Sequence, residues 1–237
     1  MKKMSSFLAA AMVLFFSSCN NSGKEKEEAK PDETPVTAKA PETPVFSPYT
    51  AVTIQHTVKD FDKWLPDYKA HDSVRKSYSL TELAMGRGAD NANKVFLAFK
   101  ADDINKAKEF AAMPGLKDVM KKAGVTGPPV ISFLNVIRDD NSKIDQKDRI
   151  MIVHHVKDFD AWVKIYDEEG KETRAANGIV DRVLARGADD PNMVYIVFAV
   201  TDMAKAKARI NSPELKKLMT DAGVDGPPTI SFFKLTE

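Results

Sequence analysis

The side chains best suited to moving a proton near neutral pH are four histidines, His56, His71, His154 and His155. Two of them head the same phrase, "HTVKDFDKW" from His56 and "HHVKDFDAW" from His154. Both phrases follow β-branched runs, and alternate residues of a strand share a face. His56 therefore lies with Val52 and Ile54, and His154 with Ile150 and Ile152, facing a buried layer. A buried imidazole either hydrogen-bonds to backbone or a carboxylate, or serves acid–base chemistry or ligand binding. His155 faces the other way and meets Thr57 in the matching phrase, while His71 is matched by Glu169. Arg87 and Arg186 each open an "RGAD" and could clamp an anion, although Gly and Asp at those places are what a tight turn requires.

Other chemistries lack their residues. The chain has one cysteine, Cys19, and no HExxH or clustered ligand spacing, so no metal site is expected. It also lacks GxSxG, a dinucleotide fingerprint and a phosphate loop: "GVTGPP" and "GVDGPP" carry no lysine and follow helices, so they read as helix caps. With 35 basic against 34 acidic side chains and no basic stripe interleaved with aromatics, nucleic acid is excluded as a partner.

The elements that must position the histidines come in two copies. His56, Val58, Lys59, Asp60, Phe61, Asp62, Trp64 and Tyr68 recur as His154, Val156, Lys157, Asp158, Phe159, Asp160, Trp162 and Tyr166. After a one-residue insertion, "RGAD" and "AGVTGPPVISF" recur as "RGAD" and "AGVDGPPTISF". Repetition over this span is the mark of duplication. Each unit reads as a strand, then a helix capped by Asp60 or Asp158 with Trp and Tyr on its apolar stripe. Trp64 and Trp162 are accordingly core rather than stacking platforms. A hairpin follows through "GADNAN" or "GADDPN", then a second helix from near Asp103 or Asp202, interrupted at Pro114 or Pro213. The glycine-proline stretch then leads into a last strand. The order βαββαβ is the ferredoxin-like unit, with both helices on one sheet face.

The expected fold class is α+β, with two tandem ferredoxin-like repeats, residues 48–137 and 149–237, joined by a polar linker at 138–148. Their open sheet faces would pair into one α/β barrel within a single chain, so that the chain could stand as a monomer. On "HHVKDFDAW", "RGADDPN" and "SPELKKLMTDAGVDGPP" the repeats resemble the dimeric α/β-barrel superfamily, in particular the antibiotic-biosynthesis-monooxygenase-like domains. That superfamily spans cofactor-free oxygenases, haem-degrading enzymes, isomerases and domains without known activity, so the resemblance implies a fold rather than a reaction. The second helices lack the histidine with which the haem-degrading branch holds iron. The resemblance thus implies no cofactor, and any catalysis would be of the cofactor-free oxygenase or isomerase kind.

Ahead of the repeats, Lys2 and Lys3 precede an apolar run from Phe7 to Phe16 and the small residues Ser17 and Ser18. Such a run is too short for a bilayer core, which needs about 20 residues, and residues 1–18 read as a signal peptide. With Cys19 directly following, the segment resembles a bacterial lipobox, Phe16 standing where leucine is usual; the resemblance implies acylation of Cys19 and a membrane anchor. Residues 19–47, rich in Lys, Glu, Pro and Thr, read as a disordered tether. The expected place is the cell envelope, lipid-anchored at the outer membrane on its periplasmic or surface face. Two functions fit: a tethered module binding a small apolar or aromatic molecule, with His56, His154, His155, Arg87 and Arg186 as candidate contacts, or an interaction scaffold whose barrel is filled by side chains. Ala51, Thr53 and Gln55 on one strand face favour a pocket, whereas Arg149, Met151 and Val153 at the matching places favour filling.

Overall fold

The computed structural model describes residues 46–236; the signal segment 1–18, Cys19 and nearly all of the tether 19–47 lie outside them. The first repeat runs β1 (Tyr49–Val58), α1 (Phe61–Ala70), α2 (Asp72–Ser77), β2 (Leu80–Gly88), β3 (Lys94–Ala101), α3 (Ile104–Ala111), α4 (Leu116–Lys122) and β4 (Val125–Asp139). The second runs β5 (Asp148–Val156), α5 (Phe159–Glu169), α6 (Lys171–Ala176), β6 (Ile179–Gly187), β7 (Met193–Val200), α7 (Met203–Asn211), α8 (Pro213–Asp221) and β8 (Val224–Leu235).

Local chemistry accounts for the helix boundaries. The extended Asp60 accepts from the backbone N–H of Asp62 and Lys63, and Asp158 accepts from that of Ala161, so each first helix starts where a side chain satisfies its free donors. Asp103 and Asp202 cap the second helices in the same way. The proline interruptions occur as expected: α3 stops before Pro114, and Pro213 opens α8 behind a Ser212 cap. Gly124 and Gly223, with φ of +94° and +79°, end α4 and α8 in the left-handed conformation that favours glycine.

Three features differ from the sequence reading. The first helix of each repeat breaks, at His71 and at Gly170, and a short helix follows. Because α5 is one residue longer than α1, His71 stands opposite Gly170 rather than Glu169. The last strands also begin before their prolines rather than after them. Pairing of β4 with β1 passes from Gln55↔Val130 to Thr57↔Thr126, and pairing of β8 with β5 passes from Val153↔Thr229 to His155↔Asp225. The Gly-Pro-Pro residues are taken up in these bulges, where the missing proline N–H groups interrupt no ladder. The residues skipped opposite the bulges are His56 and His154.

The eight strands form one closed ring, β1-β3-β2-β8-β5-β7-β6-β4. Each repeat supplies four strands in ferredoxin-like order, and β2–β8 and β4–β6 pairing closes the barrel within the chain. Closure leaves no free sheet edge. All neighbours are antiparallel, so β1, β2, β5 and β6 run the same way and begin at the same end of the barrel. The helices cover the outer faces, where Val52, Ile54, Leu97 and Phe99 meet Phe61, Trp64 and Tyr68, and Ile150, Ile152, Ile196 and Phe198 meet Phe159, Trp162 and Tyr166. The inner faces enclose Ala51, Leu134, Val136 and Ala185 in one cluster and Phe96, Met151 and Phe233 in another.

Candidate functional site

The alternation of each strand sorts the candidate residues between two kinds of space. His56 and His154 point outward, beneath the helices, and not into the barrel. They are 7% and 6% exposed, and each meets its tryptophan edge-on, with ring centroids 5.5 Å apart. Neither nitrogen of either ring has a hydrogen-bond partner among the described residues, so the expected backbone or carboxylate partner is not there. The bulge removes a facing strand residue, and the indole edge offers no acceptor. Burial holds both imidazoles down at a pKa of about 4, neutral at physiological pH.

Each histidine lines a small helix–sheet pocket, of about 90 Å³ in the first repeat and about 70 Å³ in the second. Both pockets also hold an arginine that the sequence reading missed, Arg75 or Arg174, lying 3.9 Å over the ring of Tyr68 or Tyr166. Each donates to that tyrosine's backbone carbonyl at 2.8 Å, which ties the short helix back to the first one. Their recurrence at matching places of the two repeats was the available signal. The repeats then diverge. Arg174 is bound by Asp181 through two 2.7 Å bonds, and Glu169 joins it to Arg209. In the first repeat Glu82 accepts from the Tyr68 hydroxyl instead, Phe110 replaces Arg209, and Arg75 Nε is left without a partner among the described residues.

The remaining candidates lie elsewhere. Arg87 and Arg186 donate to the carbonyls of Ala92 and Pro191 at 2.7 and 2.8 Å, closing their hairpins, and stack 4.0 and 4.1 Å from the rings of Phe61 and Phe159. Neither lines the barrel interior or a helix–sheet pocket. His155 stands half-exposed at the end of β5, 3.6 Å from Asp190 and 3.7 Å from Asp225, away from His154's pocket. The five candidate contacts, His56, His154, His155, Arg87 and Arg186, do not share one site in the fold. Among the described residues no three His, Cys, Asp or Glu side chains converge as metal ligands.

The barrel interior contains a chamber of about 400 Å³. Ala51, Thr53, Gln55, Ala84, Gly86 and Ala98 of the first repeat keep it open, against Arg149, Met151, Val183, Tyr195 and Val197 of the second. The filling side chains expected of the second repeat are present, and Met151 packs with Phe96 and Phe233, but the small ones opposite leave part of the interior unfilled. Its mouth is at the end where β1, β2, β5 and β6 begin. Register shifts in β2 between Glu82 and Ala84, and in β6 between Asp181 and Val183, set Leu83 and Arg182 into the rim. Tyr49 donates to Asp139 there at 2.7 Å, and burial, reinforced by this bond, raises the phenol's pKa. Two further spaces lie outside the barrel: one of about 230 Å³ beside Arg138 and Tyr166, and an open groove of about 840 Å³ between α4 and the Gly127–Pro129 bulge, which adjoins the first helix–sheet pocket.

No protein-family model matches the sequence, and no curated protein matches it. Solved structures do. An anthrone oxidase-like protein aligns at a TM-score of 0.53 and 13% identity, over 80% of this chain and 92% of its own. Candidate monooxygenases from Lactobacillus acidophilus and Fusobacterium nucleatum align at 0.52, with 15% and 12% identity, over 80% of this chain and 94% and 93% of theirs. At such identities the likeness establishes the fold, the dimeric α/β barrel expected above, and not the reaction.

Proposed function

We propose that this protein is a lipid-anchored module of the cell envelope that holds a small, largely apolar molecule inside its barrel. The observation carrying this reading is the chamber of about 400 Å³, within the usual range for ligand pockets of roughly 300–1,000 Å³. Strands hydrogen-bonded in a closed ring wall it, so it is preformed, and a few polar groups, Thr53, Gln55 and Arg149, interrupt an apolar lining. The helix–sheet pockets, at about 90 and 70 Å³, have room for only a few waters at about 30 Å³ each. An interaction scaffold with a filled barrel accounts less well for so much retained space. The neutral fluorophore N-phenylnaphthylamine should bind the full chain saturably, and Ala98→Phe, which fills the chamber, should weaken it by about tenfold or more. Binding that is absent, or indifferent to Ala98→Phe, would remove the chamber as the site.

The anchor rests on the sequence. Cys19 is the only cysteine and directly follows a positively charged, apolar, small-residue segment. Several acyl chains on one residue give a stable anchor, because each buried methylene contributes about 0.8 kcal/mol. Cys19→Ser should abolish incorporation of labelled fatty acid and release the protein from the membrane fraction or leave it uncleaved. Unchanged labelling would refute the anchor.

A further inference from the structure

The two repeats contribute unlike residues to the chamber's mouth. Where the first has Ala51 and Leu83, the second has Arg149 and Arg182. Arg149 is 7% exposed, and the only hydrogen bonds of its guanidinium among the described residues run from Nη1 to the backbone carbonyls of Gln146 and Asp148, at 2.5 and 3.0 Å. Its Nε and Nη2 edge, the one that fits a carboxylate with two parallel bonds, is unused, and no ion pair engages it among the described residues. Arg182 is little better compensated, with Asp140 at 3.8 Å and Ser142 Oγ at 3.4 Å. The chamber's own carboxylate, Asp139, accepts from Tyr49 and, among the described residues, forms an ion pair with neither arginine. Burial first, and then the charge of Arg182, oppose the positive charge on Arg149, the carboxylate of Asp148 offsets them in part, and the guanidinium stays charged. Two weakly paired cations at the mouth of a low-dielectric space are stabilised by an anion placed between them. Beyond them the wall is mostly apolar, with Phe96, Met151 and Val197, and Thr53 and Gln55 as polar interruptions, and Leu83 on the opposite rim is 48% exposed.

We propose that the chamber's ligand is an amphiphile with a carboxylate head, the head held by Arg149 and Arg182 at the mouth and the apolar body directed inward. This rests on the reading of the barrel as a ligand chamber. The test is displacement of N-phenylnaphthylamine from the full chain by decanoate and by decanol, which share a chain and differ in the head. Decanoate should compete about tenfold or more better than decanol, the advantage of a charge-assisted bond to a buried arginine. Arg149→Met, similar in length and apolar, should erase that preference while leaving decanol within about threefold. Arg182→Met, at the rim, should reduce the preference and serves as the second variant if Arg149→Met does not fold. Equal competition by decanoate and decanol, with the fluorophore still bound, overturns the carboxylate assignment and leaves the chamber standing. A preference that survives both substitutions overturns the role of these arginines. Failure of the fluorophore itself to bind removes the chamber reading and this inference with it.

Discussion

Acidification from about pH 7 to about pH 4 should cost the folded protein on the order of 6 kcal/mol through His56 and His154 alone. Their folded pKa is about 4 because burial disfavours the charged ring, whereas an unfolded histidine titrates near 6.5. Between these values the unfolded chain binds protons that the folded chain refuses. Stability is therefore full above the unfolded pKa and falls as pH drops toward the folded one, by about 3 kcal/mol for each ring. The carboxylates with lowered pKa, Asp60, Asp72, Asp140 and Asp167, act in the same direction but below their ordinary value of 3.8, so the window from about 6.5 to 4.5 belongs to the histidines. Urea denaturation across that window should show the midpoint falling with pH, and His56→Gln combined with His154→Gln should flatten the slope. A wild type insensitive to pH there, or a double variant with the wild-type slope, would contradict the burial of neutral, unpartnered imidazoles. Because domains are typically stable by only about 5–15 kcal/mol, the effect is large enough to unfold the barrel in mild acid.

Truncating either tryptophan should cost about 3–5 kcal/mol. Trp64 and Trp162 are 3% and 4% exposed. Each stacks on the tyrosine one turn later, at 4.7 or 5.1 Å, and lies against Phe61 or Phe159 at 5.6 or 5.8 Å. Alanine in either place removes the indole from between helix and sheet and leaves a void that the sheet's hydrogen-bonded backbone cannot collapse to fill. The two sites share no partners, so their losses should add, and Trp64→Ala with Trp162→Ala should leave little folded protein. Urea denaturation measures each loss; a change below about 1 kcal/mol in the single variants would mean that the aromatic layer is not the core it resembles.

The opening phrase is therefore scaffold in its aspartate, phenylalanine and tryptophan, all of which were legible as such. A capping aspartate acts within one turn, and an apolar stripe repeats at helical spacing, so both are written locally. The duplication, the element order and the barrel followed from the same short-range signals, because βαββαβ leaves each repeat one uncovered sheet face and a second copy covers it. The site was much less legible. Strand alternation divides residues between two faces without saying which face looks to the helices, and that choice set His56 and His154 under α1 and α5 rather than inside the barrel. Arg87 and Arg186 stood as candidate ligand contacts beside a turn reading, and the fold lays them over Phe61 and Phe159. Arg75 and Arg174 were not singled out, since nothing local to either one reveals that a helix break turns it back onto a tyrosine. Sequence alone thus determined the scaffold, whose determinants lie within a few residues of one another. Only the tertiary structure decided the chamber, because Ala51, Leu83, Arg149 and Arg182 meet through strand order, two bulges and closure of the ring, and each is set by pairing between residues far apart in the chain.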